Sequence, residues 1–418
     1  MYDLNPPQVF VHKRVYENEK ATTRLEKMMK GLGNPPFEEV DVNDTDKVIE
    51  AAGMTEDLQV QSGRIRQGVT KNTTDPVMLF NTFVWDADKI APIEKKYKNP
   101  RARSIARHMA GTGRGYIYGK REIQDGSDRP YVCQGGWAIH SLEGCVHKCD
   151  YCGQSYLVNL MLDLEDFAAE LERNFIERPH QKVYRYDLNS DYVCFEPEYG
   201  ASELLGECFS RHDKYFLVYT KSNNIDHLLD LPYKDHTICY WTVATDTQTT
   251  KVERDTPSLD ERLVAMKKCE DAGYVVRAGF SPIIPHVGWR EETTVALEKL
   301  FATATPDTVR LWVVSMMLVK EAEQIFGPEN LDPKFLDAMR ETASEMDGKH
   351  SGPFPPQARA EIYAHYIDEI KRISPDTPVS LCTEERLMWD MLEDKLGMSP
   401  DDLFCCCGQF SVPKKKSA

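Results

Sequence analysis

Three cysteines crowded into eight residues constrain this chain more than any other feature of its sequence. Within residues 140–156 (HSLEGCVHKCDYCGQSY), Cys145, Cys149 and Cys152 follow a C-x3-C-x2-C spacing, and Tyr151 directly precedes the last of them. Thiols so close in sequence can meet at one point only if the backbone curls into a loop. Because thiolate is a soft ligand, such a loop favours an iron–sulfur cluster or zinc.

The number of ligands favours iron–sulfur over zinc. A closed structural zinc site usually has four protein ligands at recognisable spacing. His147 lies between two of the cysteines, where it would have trouble turning back onto the same metal. Three cysteines can hold a [4Fe–4S] cluster and leave one iron open to a substrate or cofactor. The competing interpretation is three buried structural cysteines, and we favour the cluster.

This spacing, with an aromatic residue before the third cysteine, resembles the signature of radical S-adenosylmethionine (radical SAM) enzymes. The resemblance implies that Cys145, Cys149 and Cys152 hold a [4Fe–4S] cluster whose open iron is chelated by the amino and carboxylate groups of SAM. An electron from the cluster would cleave the sulfonium and release a 5′-deoxyadenosyl radical that abstracts hydrogen from a substrate. The cofactor carries the difficult chemistry, and the protein positions it.

Length and composition indicate a globular cytoplasmic protein. The 418 residues, 41% hydrophobic and 28% charged, suit a chain with two or three subregions. No apolar run approaches the roughly 20 residues that a membrane span requires, and the N-terminus lacks the pattern of a secretory leader. Twelve cysteines favour a reducing cytoplasm over a disulfide scaffold. We therefore expect a cytoplasmic monomer that does not bind a membrane.

The formal net charge of −16 argues against nucleic acid as a partner, because proteins that hold DNA usually offer it a basic surface. A basic groove could still exist locally. The basic stretch 95–107 (KKYKNPRARSIAR) is either a solvated helix face or a contact for an anionic group, and we favour the solvated face.

Strands alternate with helices from about residue 135 onward. The predicted strands are 136–144, 182–189, 215–221, 237–244, 275–283 and 309–316, and the predicted helices are 165–178, 201–211, 225–231, 258–272 and 290–303. This alternation predicts a parallel sheet with crossover helices, and therefore an α/β fold with a partial (β/α)6 radical SAM barrel at residues 131–320.

Extensions flank the predicted barrel on both sides. Residues 1–130 are expected to form an N-terminal α/β extension, with strands at 7–15 and 37–42 and helices at 18–32 and 46–52. Residues 321–418 are expected to form a mostly helical C-terminal extension with a cysteine-rich tail. In a barrel the chemistry gathers at the carboxyl ends of the strands, which draws attention to four polar residues there: Asn189, Lys221, Thr242 and Ser281.

From PQVFV near the N-terminus to about residue 300, the chain resembles the spore photoproduct lyase family, radical SAM enzymes that reverse a thymine dimer lesion. The matching stretches, besides the cysteine loop, are TKSNNIDHLLDL (220–231), RDTPSLDERLVAMKKCEDAGY (254–274) and FSPIIPHVGW (280–289). Their order and spacing agree with the family, so the resemblance covers most of the predicted barrel.

The resemblance implies a SAM site. Lys221 aligns with the lysine that meets the SAM carboxylate, and an ammonium pairs well with that anion. Thr242 aligns with a SAM-contacting serine, Asn189 with a polar SAM contact, and Tyr151 with an aromatic beside the adenine. Ser281 falls where a backbone contact is expected. The alternatives are a surface lysine at 221 and ordinary polar residues at the strand ends.

Two departures from the family bear on hydrogen transfer. The lyases carry a hydrogen-donor cysteine where this chain has Leu188, and a relay tyrosine after the third cluster cysteine where it has Gly153. Leucine cannot quench a substrate radical with a thiol hydrogen. Cys194 could substitute as a catalytic donor only if its loop folds back, and a buried bystander is the alternative.

The C-terminal segment carries Cys405, Cys406 and Cys407 in FCCCG (404–408), after SLCTE at 380–384. Family members outside the repair group often end in a short cysteine motif. These thiols could ligate a second metal, hold a thiophilic substrate or form a redox pair; the alternative is a flexible tail with inert thiols. Related enzymes of arsenic-containing natural product biosynthesis combine such a motif with transfer of the 3-amino-3-carboxypropyl group of SAM to bound arsenic.

We therefore predict a radical SAM enzyme, of lyase or transferase type, that acts on a small, non-DNA substrate and receives electrons from a flavodoxin- or ferredoxin-type donor. The alternatives are repair of a thymine dimer in DNA, aminocarboxypropyl transfer to a thiol-bound acceptor such as arsenite, and a non-catalytic metal-binding protein on the same scaffold.

Overall fold

The computed structural model describes residues 1–55, 65–86, 96–113, 116–120, 131–186, 189–401 and 403–413. The strands of these residues are β1 (Val9–His12), β2 (Glu38–Val40), β3 (Val77–Asn81), β4 (Ile117–Lys120), β5 (Gly136–Ile139), β6 (Leu142–Glu143), β7 (Lys148–Cys149), β8 (Leu157–Met161), β9 (Val183–Tyr186), β10 (Tyr215–Thr220), β11 (Thr237–Val243), β12 (Glu253–Arg254), β13 (Val275–Ile283), β14 (Val309–Val313) and β15 (Val379–Leu381).

The α-helices of the described residues are α1 (Glu19–Gly31), α2 (Thr45–Ala51), α3 (Gln67–Thr70), α4 (Pro100–Ala110), α5 (Leu164–Glu177), α6 (Ala201–Arg211), α7 (Asp246–Lys251), α8 (Leu259–Asp271), α9 (Trp289–Thr303), α10 (Val319–Phe326), α11 (Pro333–Glu341), α12 (Ala343–Met346), α13 (Pro356–Ile373) and α14 (Arg386–Leu396). Residues 225–231, predicted as a short helix, contain a 3-10 turn at Asp226–Leu228.

The central sheet has eight strands in the order β15-β14-β13-β11-β10-β9-β5-β4. Neighbours from β5 to β15 pair in parallel, and β4 runs antiparallel to β5. Within the described residues the edge strands β4 and β15 do not pair with each other, so the sheet stays open. The expected α/β fold with a partial barrel is confirmed.

Burial explains why these segments form parallel strands. All seven side chains of β11 (TICYWTV) are buried, as expected for a strand covered on both faces. Helix α6 packs against β10, α8 against β11 and β13, and α13 against β14. Helix α8 begins where the sequence predicts, at a capping box in which the Ser258 hydroxyl accepts from the Glu261 amide.

The predicted strand 136–144 is wrong in extent. The chain leaves the central sheet at Ile139, and β6 pairs antiparallel with β8 in a second sheet. Gly144 then turns the chain toward the cysteine loop with a φ of 101°, a conformation that glycine adopts without steric cost. The cysteine loop therefore follows the point where the chain crosses from one sheet to the other.

The second sheet has the order β2-β1-β3-β8-β6. It contains β3 and β8, for which the sequence pattern predicts no strand, and every side chain of β8 (LVNLM) is buried. Strand β15 adds a seventh parallel strand to the six predicted and pairs with β14. Strand β4, in the predicted N-terminal extension, pairs with β5 of the predicted barrel, and β15, in the predicted C-terminal extension, pairs with β14. The central sheet therefore contains strands from all three predicted subregions.

No helix in the described ranges is both long enough and apolar enough to span a membrane.

Candidate active site

A cavity of about 640 Å³ lies at the carboxyl ends of the parallel strands. Its lining brings together groups from distant parts of the sequence. From the cysteine loop come Cys145, Cys149, Tyr151 and Cys152; from the strand ends come Asn189, Lys221, Thr242 and Ser281; from the C-terminal extension come Cys382 and Cys407. This is the edge of the sheet at which barrel enzymes place their chemistry.

Backbone pairing and ion pairs fix the cysteine loop. Strand β7 pairs antiparallel with β12, so that Cys149 lies opposite Glu253. The Asp150 carboxylate accepts two hydrogen bonds from the Arg254 guanidinium at 2.9 and 2.8 Å. The Cys152 carbonyl accepts from the Gln67 amide at 2.7 Å. Contacts within the protein therefore hold the loop in place on several sides.

The three loop thiols fit a cluster better than a single ion. Among the described residues, one set of three His, Cys, Asp or Glu ligand atoms lies within 4.8 Å of one another: that of His147, Asp191 and Cys194. The three loop cysteines do not form such a set, although all of them line the cavity. A single tetrahedral ion needs its sulfurs closer than this, whereas an iron–sulfur cube spreads them apart.

Burial favours the protonated thiols of Cys145 and Cys149 in the absence of a bound cation. It raises the pKa of Cys149 to about 12 and raises the pKa of Cys145 well above its usual range. Ligation therefore displaces protons from these thiols. His147 is engaged elsewhere, with its Nδ1 2.8 Å from the Asp255 carbonyl and its Nε2 3.0 Å from the Asp191 carboxylate.

Lys221 lies beside the cysteine loop in a buried ion-pair network. Its Nζ donates to the Tyr151 hydroxyl at 2.9 Å and lies 2.9 Å from Glu253 Oε1. The Tyr151 hydroxyl also donates to Glu253 Oε1, at 2.7 Å. On the other side of Glu253, the Arg262 guanidinium lies 2.8 Å from Oε2. The lysine and the aromatic residue predicted to contact SAM are thus brought together.

Glu253 is the centre of this network and stays ionised. Burial alone would raise the pKa of its carboxyl, but the Lys221 and Arg262 charges lower that pKa well below its usual range. An ammonium has three N–H donors, and Tyr151 and Glu253 engage two of those of Lys221. A SAM carboxylate could accept the third.

Asp191 positions Lys221 from the opposite side. Its carboxylate accepts from the Lys221 backbone amide at 2.8 Å and from the Thr220 hydroxyl at 2.8 and 3.0 Å. The same carboxylate contacts His147, which packs against Cys194 with Nε2 and Sγ 3.6 Å apart. Cys194 is fully buried and does not line the cavity, so a role as hydrogen donor to a bound substrate finds no support.

The remaining predicted SAM contacts lie at the strand ends. Thr242 is buried and its carbonyl accepts from Arg262 Nη1 at 2.9 Å. The carbonyl of Asn189 accepts from the Gly144 amide at 3.2 Å, which ties this strand end to the start of the cysteine loop. The Ser281 hydroxyl lies 2.9 Å from the Tyr240 hydroxyl and accepts from Arg310 at 2.8 Å, so its side chain is engaged within the protein.

The position of Gly153 excludes the relay tyrosine of the lyases. A Cβ added there would overlap the Ile65 carbonyl oxygen and the Arg101 guanidinium. A tyrosine therefore requires the backbone to move. Leu188, at the position of the lyases' donor cysteine, lies outside the described residues.

The C-terminal thiols separate into two environments. Cys407 lines the cavity, whereas Cys406 is fully buried and lies 3.4 Å from the Ala278 carbonyl. Cys405 donates a hydrogen bond to the Cys407 sulfur, and the charges of Arg185 and Arg310 act on the same sulfur; together they hold the pKa of Cys407 well below its usual range. The three residues therefore have different surroundings, and among them Cys407 is the one whose pKa is lowered.

Sequence reasoning missed Glu253, Asp191, Arg185 and Arg310. One signal could have revealed both arginines: each interrupts a largely apolar strand, in which a charge is rarely buried without a partner. Glu253 directly precedes the family-like stretch 254–274. Cys133, which also lines the cavity, lies in a stretch without a recognisable motif, whereas Cys382, another lining residue, lies in SLCTE (380–384).

Comparison with known proteins identifies relatives of this chain. A family model described as spore photoproduct lyase matches residues 130–335. The curated spore photoproduct lyase of Geobacillus sp. (strain Y412MC61) is 26% identical over 200 residues, which cover 46% of this chain and 58% of that protein. That of Clostridium acetobutylicum is 23% identical over 188 residues, covering 43% of this chain and 55% of that protein. The chain thus spans less than two thirds of the length of these curated relatives.

Solved structures share the fold over a larger region. A doubly substituted spore photoproduct lyase with bound AdoMet and dinucleoside spore photoproduct superimposes with a TM-score of 0.59 at 16% identity, over 91% of this chain and 99% of that one. A singly substituted spore photoproduct lyase with dinucleoside spore photoproduct gives a TM-score of 0.60 at 17% identity over the same shares. At these identities the likeness establishes the fold.

Proposed function

Because the chain belongs to the spore photoproduct lyase-like family of the radical SAM superfamily, we propose that it binds a [4Fe–4S] cluster and SAM and cleaves SAM reductively to start radical chemistry on a small, non-DNA substrate. The observation that carries the proposal is the single cavity lined by the three loop thiols, by Lys221 and by Cys407.

The loop residues have distinct roles in this proposal. Cys145, Cys149 and Cys152 hold the cluster, which supplies the electron for cleavage of the sulfonium when it is bound. Tyr151 lies beside the third cysteine and contacts Lys221, so it can flank the nucleoside. The pairing of β7 with β12 keeps the loop and Glu253 in register.

The remaining residues bind SAM. Lys221 pairs with the SAM carboxylate, and Asp191 holds the backbone of Lys221 in place. Asn189 and Thr242 supply polar contacts from neighbouring strand ends, and Ser281 contributes through its backbone since its hydroxyl is engaged by Tyr240 and Arg310.

Three features support a substrate other than DNA. The net charge of −16 disfavours binding to phosphate-rich duplexes. Gly153 has no room for the lyases' relay tyrosine, and the sequence places Leu188 where they carry a donor cysteine. The hydrogen-return chemistry of dimer repair would therefore need other residues. DNA repair predicts salt-sensitive binding to a duplex; if no duplex binds even at low salt, repair is excluded.

The position of Cys407 favours a second candidate, transfer of the 3-amino-3-carboxypropyl group of SAM to a thiol-bound acceptor such as arsenite. Cys407 is held as a thiolate and lines the same cavity as Lys221. An acceptor bound to this sulfur would share the cavity with SAM. A non-catalytic metal-binding role, in contrast, gives no reason for the Lys221 network.

Product identification tests these candidates. The protein is reconstituted with iron and sulfide without oxygen, reduced with dithionite or with a flavodoxin- or ferredoxin-type donor, and given SAM. Release of 5′-deoxyadenosine supports the first candidate, and methylthioadenosine supports the second. Cys152→Ser should abolish either product, whereas Cys208→Ser, a buried cysteine that does not line the cavity, should retain it. No SAM cleavage by cluster-loaded wild type would contradict both.

A further inference from the structure

Two arginines line the cavity together with Cys407: Arg185, which is buried, and Arg310, which is partly buried. Arg310, on β14, donates from Nη1 to the Tyr219 hydroxyl at 2.9 Å and from Nη2 to the Ser281 hydroxyl at 2.8 Å. Its Nη1 also lies 4.0 Å from the Cys407 sulfur. Its Nε is buried and has no hydrogen-bond partner among the described residues.

Arg185, on β9, is the second of the pair and is only 5% exposed. Its Nη2 donates to the Gly136 carbonyl at 3.3 Å. Among the described residues, the groups that act on it electrostatically are thiols and phenols, with Cys407 first and then Cys133, Tyr219 and Tyr118. For Arg310 they are Tyr219, Tyr240, Cys382 and Cys407.

Among the described residues, the positive charges at this end of the cavity outnumber the negative ones. In the part of the chain that the structure describes, no carboxylate forms an ion pair with either arginine. Asp191 carries the only cavity-lining carboxylate among the described residues, and it is engaged by His147, Thr220 and the Lys221 amide. Counting only the residues that the structure describes, two guanidinium groups face one thiolate, that of Cys407. One positive charge is left over, and buried charges are normally paired.

We propose that Arg185 and Arg310 bind an anionic oxygen group of the substrate, a carboxylate or a phosphate, next to Cys407. Guanidinium groups are suited to such groups because their N–H donors match paired oxygens. This inference rests on the proposed function and deepens it, since it gives the chemical class of the substrate. It places the anionic group beside Cys407 and Tyr219. The two arginines lie on β9 and β14, whereas Lys221 follows β10.

The rate at which the Cys407 thiolate is alkylated can be used to test for anion binding beside it. Iodoacetate and iodoacetamide alkylate a thiolate in the same way: the sulfur bonds to the methylene carbon, the carbon–iodine bond breaks and iodide leaves with the electron pair. The two reagents differ in the carboxylate of iodoacetate. Both rates are proportional to the fraction of Cys407 that is thiolate, so this fraction cancels in their ratio. The ratio therefore reports how strongly the site binds the carboxylate of iodoacetate. The rates are measured by peptide mass spectrometry on the cluster-loaded, SAM-saturated full chain, with glutathione as the reference thiol.

We expect wild type to prefer iodoacetate over iodoacetamide by about tenfold relative to glutathione, since a hydrogen-bonded charge contributes roughly a factor of that size. Arg185→Gln and Arg310→Gln should each lose most of the preference, and Arg310→Lys, which keeps the charge, should retain part of it. Arg386→Gln, an exposed arginine paired with Asp401, should behave as wild type. A wild-type ratio equal to that of glutathione, or no alkylation of Cys407 by either reagent, would overturn the inference.

Competition by inorganic phosphate and, separately, by acetate identifies the anionic group. Stronger slowing of alkylation by phosphate indicates a phosphate-bearing substrate, and stronger slowing by acetate indicates a carboxylate. If neither anion slows the reaction, the inference is overturned. The same wild-type preparation is assayed for SAM cleavage, so cleavage without an anion effect refutes only this inference, whereas an anion effect without cleavage refutes only the proposed function.

Discussion

The ammonium of Lys221 lies 2.9 Å from the carboxylate of Glu253, whose own backbone pairs with that of Cys149 in the cysteine loop. One glutamate therefore connects the residues assigned to the cluster with the lysine assigned to SAM. Arg262 lies 2.8 Å from the other carboxylate oxygen of Glu253, so this glutamate lies between two cationic side chains. This arrangement ties cofactor binding and loop stability to the same few side chains.

Replacing Lys221 should weaken SAM binding. In Lys221→Met the charge-assisted hydrogen bond to the SAM carboxylate is lost, and we expect the dissociation constant to rise about tenfold or more. Equilibrium dialysis with the cluster-loaded protein measures the change. Lys251→Met, at an exposed lysine that contacts Asn330, is the matched control and should bind SAM as wild type does. If Lys221→Met and wild type bind SAM with equal affinity, Lys221 does not contact SAM.

Replacing Glu253 should destabilise the fold. Glu253→Gln leaves Arg262, which is fully buried, without its charged partner, and breaking such a pair from one side costs about 3 kcal/mol. Chemical denaturation gives the free energy of unfolding. Glu298→Gln removes an exposed partner of Arg372 and should cause no measurable change. If both variants unfold alike, the Glu253 network does not stabilise the protein.

The contribution of Glu253 to the free energy of unfolding should decrease only at acidic pH. The folded-state pKa of Glu253 is depressed, so its contribution is present above the unfolded pKa of about 4.3 and is lost only as the pH falls through the lower folded value. The difference in unfolding free energy between wild type and Glu253→Gln should therefore stay constant between pH 7 and pH 5. A difference that disappears within this range would contradict the assignment.

Cys407 should react as a thiolate at unusually low pH. Its pKa is held well below the usual thiol value of about 8.5 by the hydrogen bond from Cys405 and by two guanidinium charges. The rate of alkylation by iodoacetamide should therefore stay high in mildly acidic buffer and fall only as the pH drops through the lowered pKa. Cys405→Ala should move the midpoint upward, whereas Cys405→Ser keeps a donor and should shift it less. A wild-type midpoint near 8.5 would be incompatible with this environment.

The barrel was predictable because its strands follow a simple physical pattern. Buried parallel strands such as β11 are mostly apolar runs, and the capping box at Ser258 marks the start of a helix. Strand β8 was missed because it follows the cysteine loop directly and pairs with β3, which is far away in sequence. The break after Ile139 was missed because it results from pairing in a second sheet.

The candidate site was predictable where a motif marks it. The spacing of the loop cysteines and the family-like stretch at Lys221 pointed to residues that the structure places in one cavity. Glu253, Arg185 and Arg310 act through tertiary contacts that have no local signature. The Cys405–Cys407 run looked like one set of thiols, but its residues face different surroundings: Cys406 turns toward Ala278 and Cys407 toward the cavity.

The central claim is that Cys145, Cys149 and Cys152 hold a cluster with one iron open to SAM. Electron paramagnetic resonance of the reduced, oxygen-protected protein, recorded with and without SAM and combined with an iron determination, tests it most directly. We predict about four irons per chain and a cluster spectrum that shifts when SAM is added, both lost in Cys152→Ser and retained in Cys208→Ser. Wild-type protein without iron, or a cluster whose spectrum is the same with and without SAM, would contradict the claim.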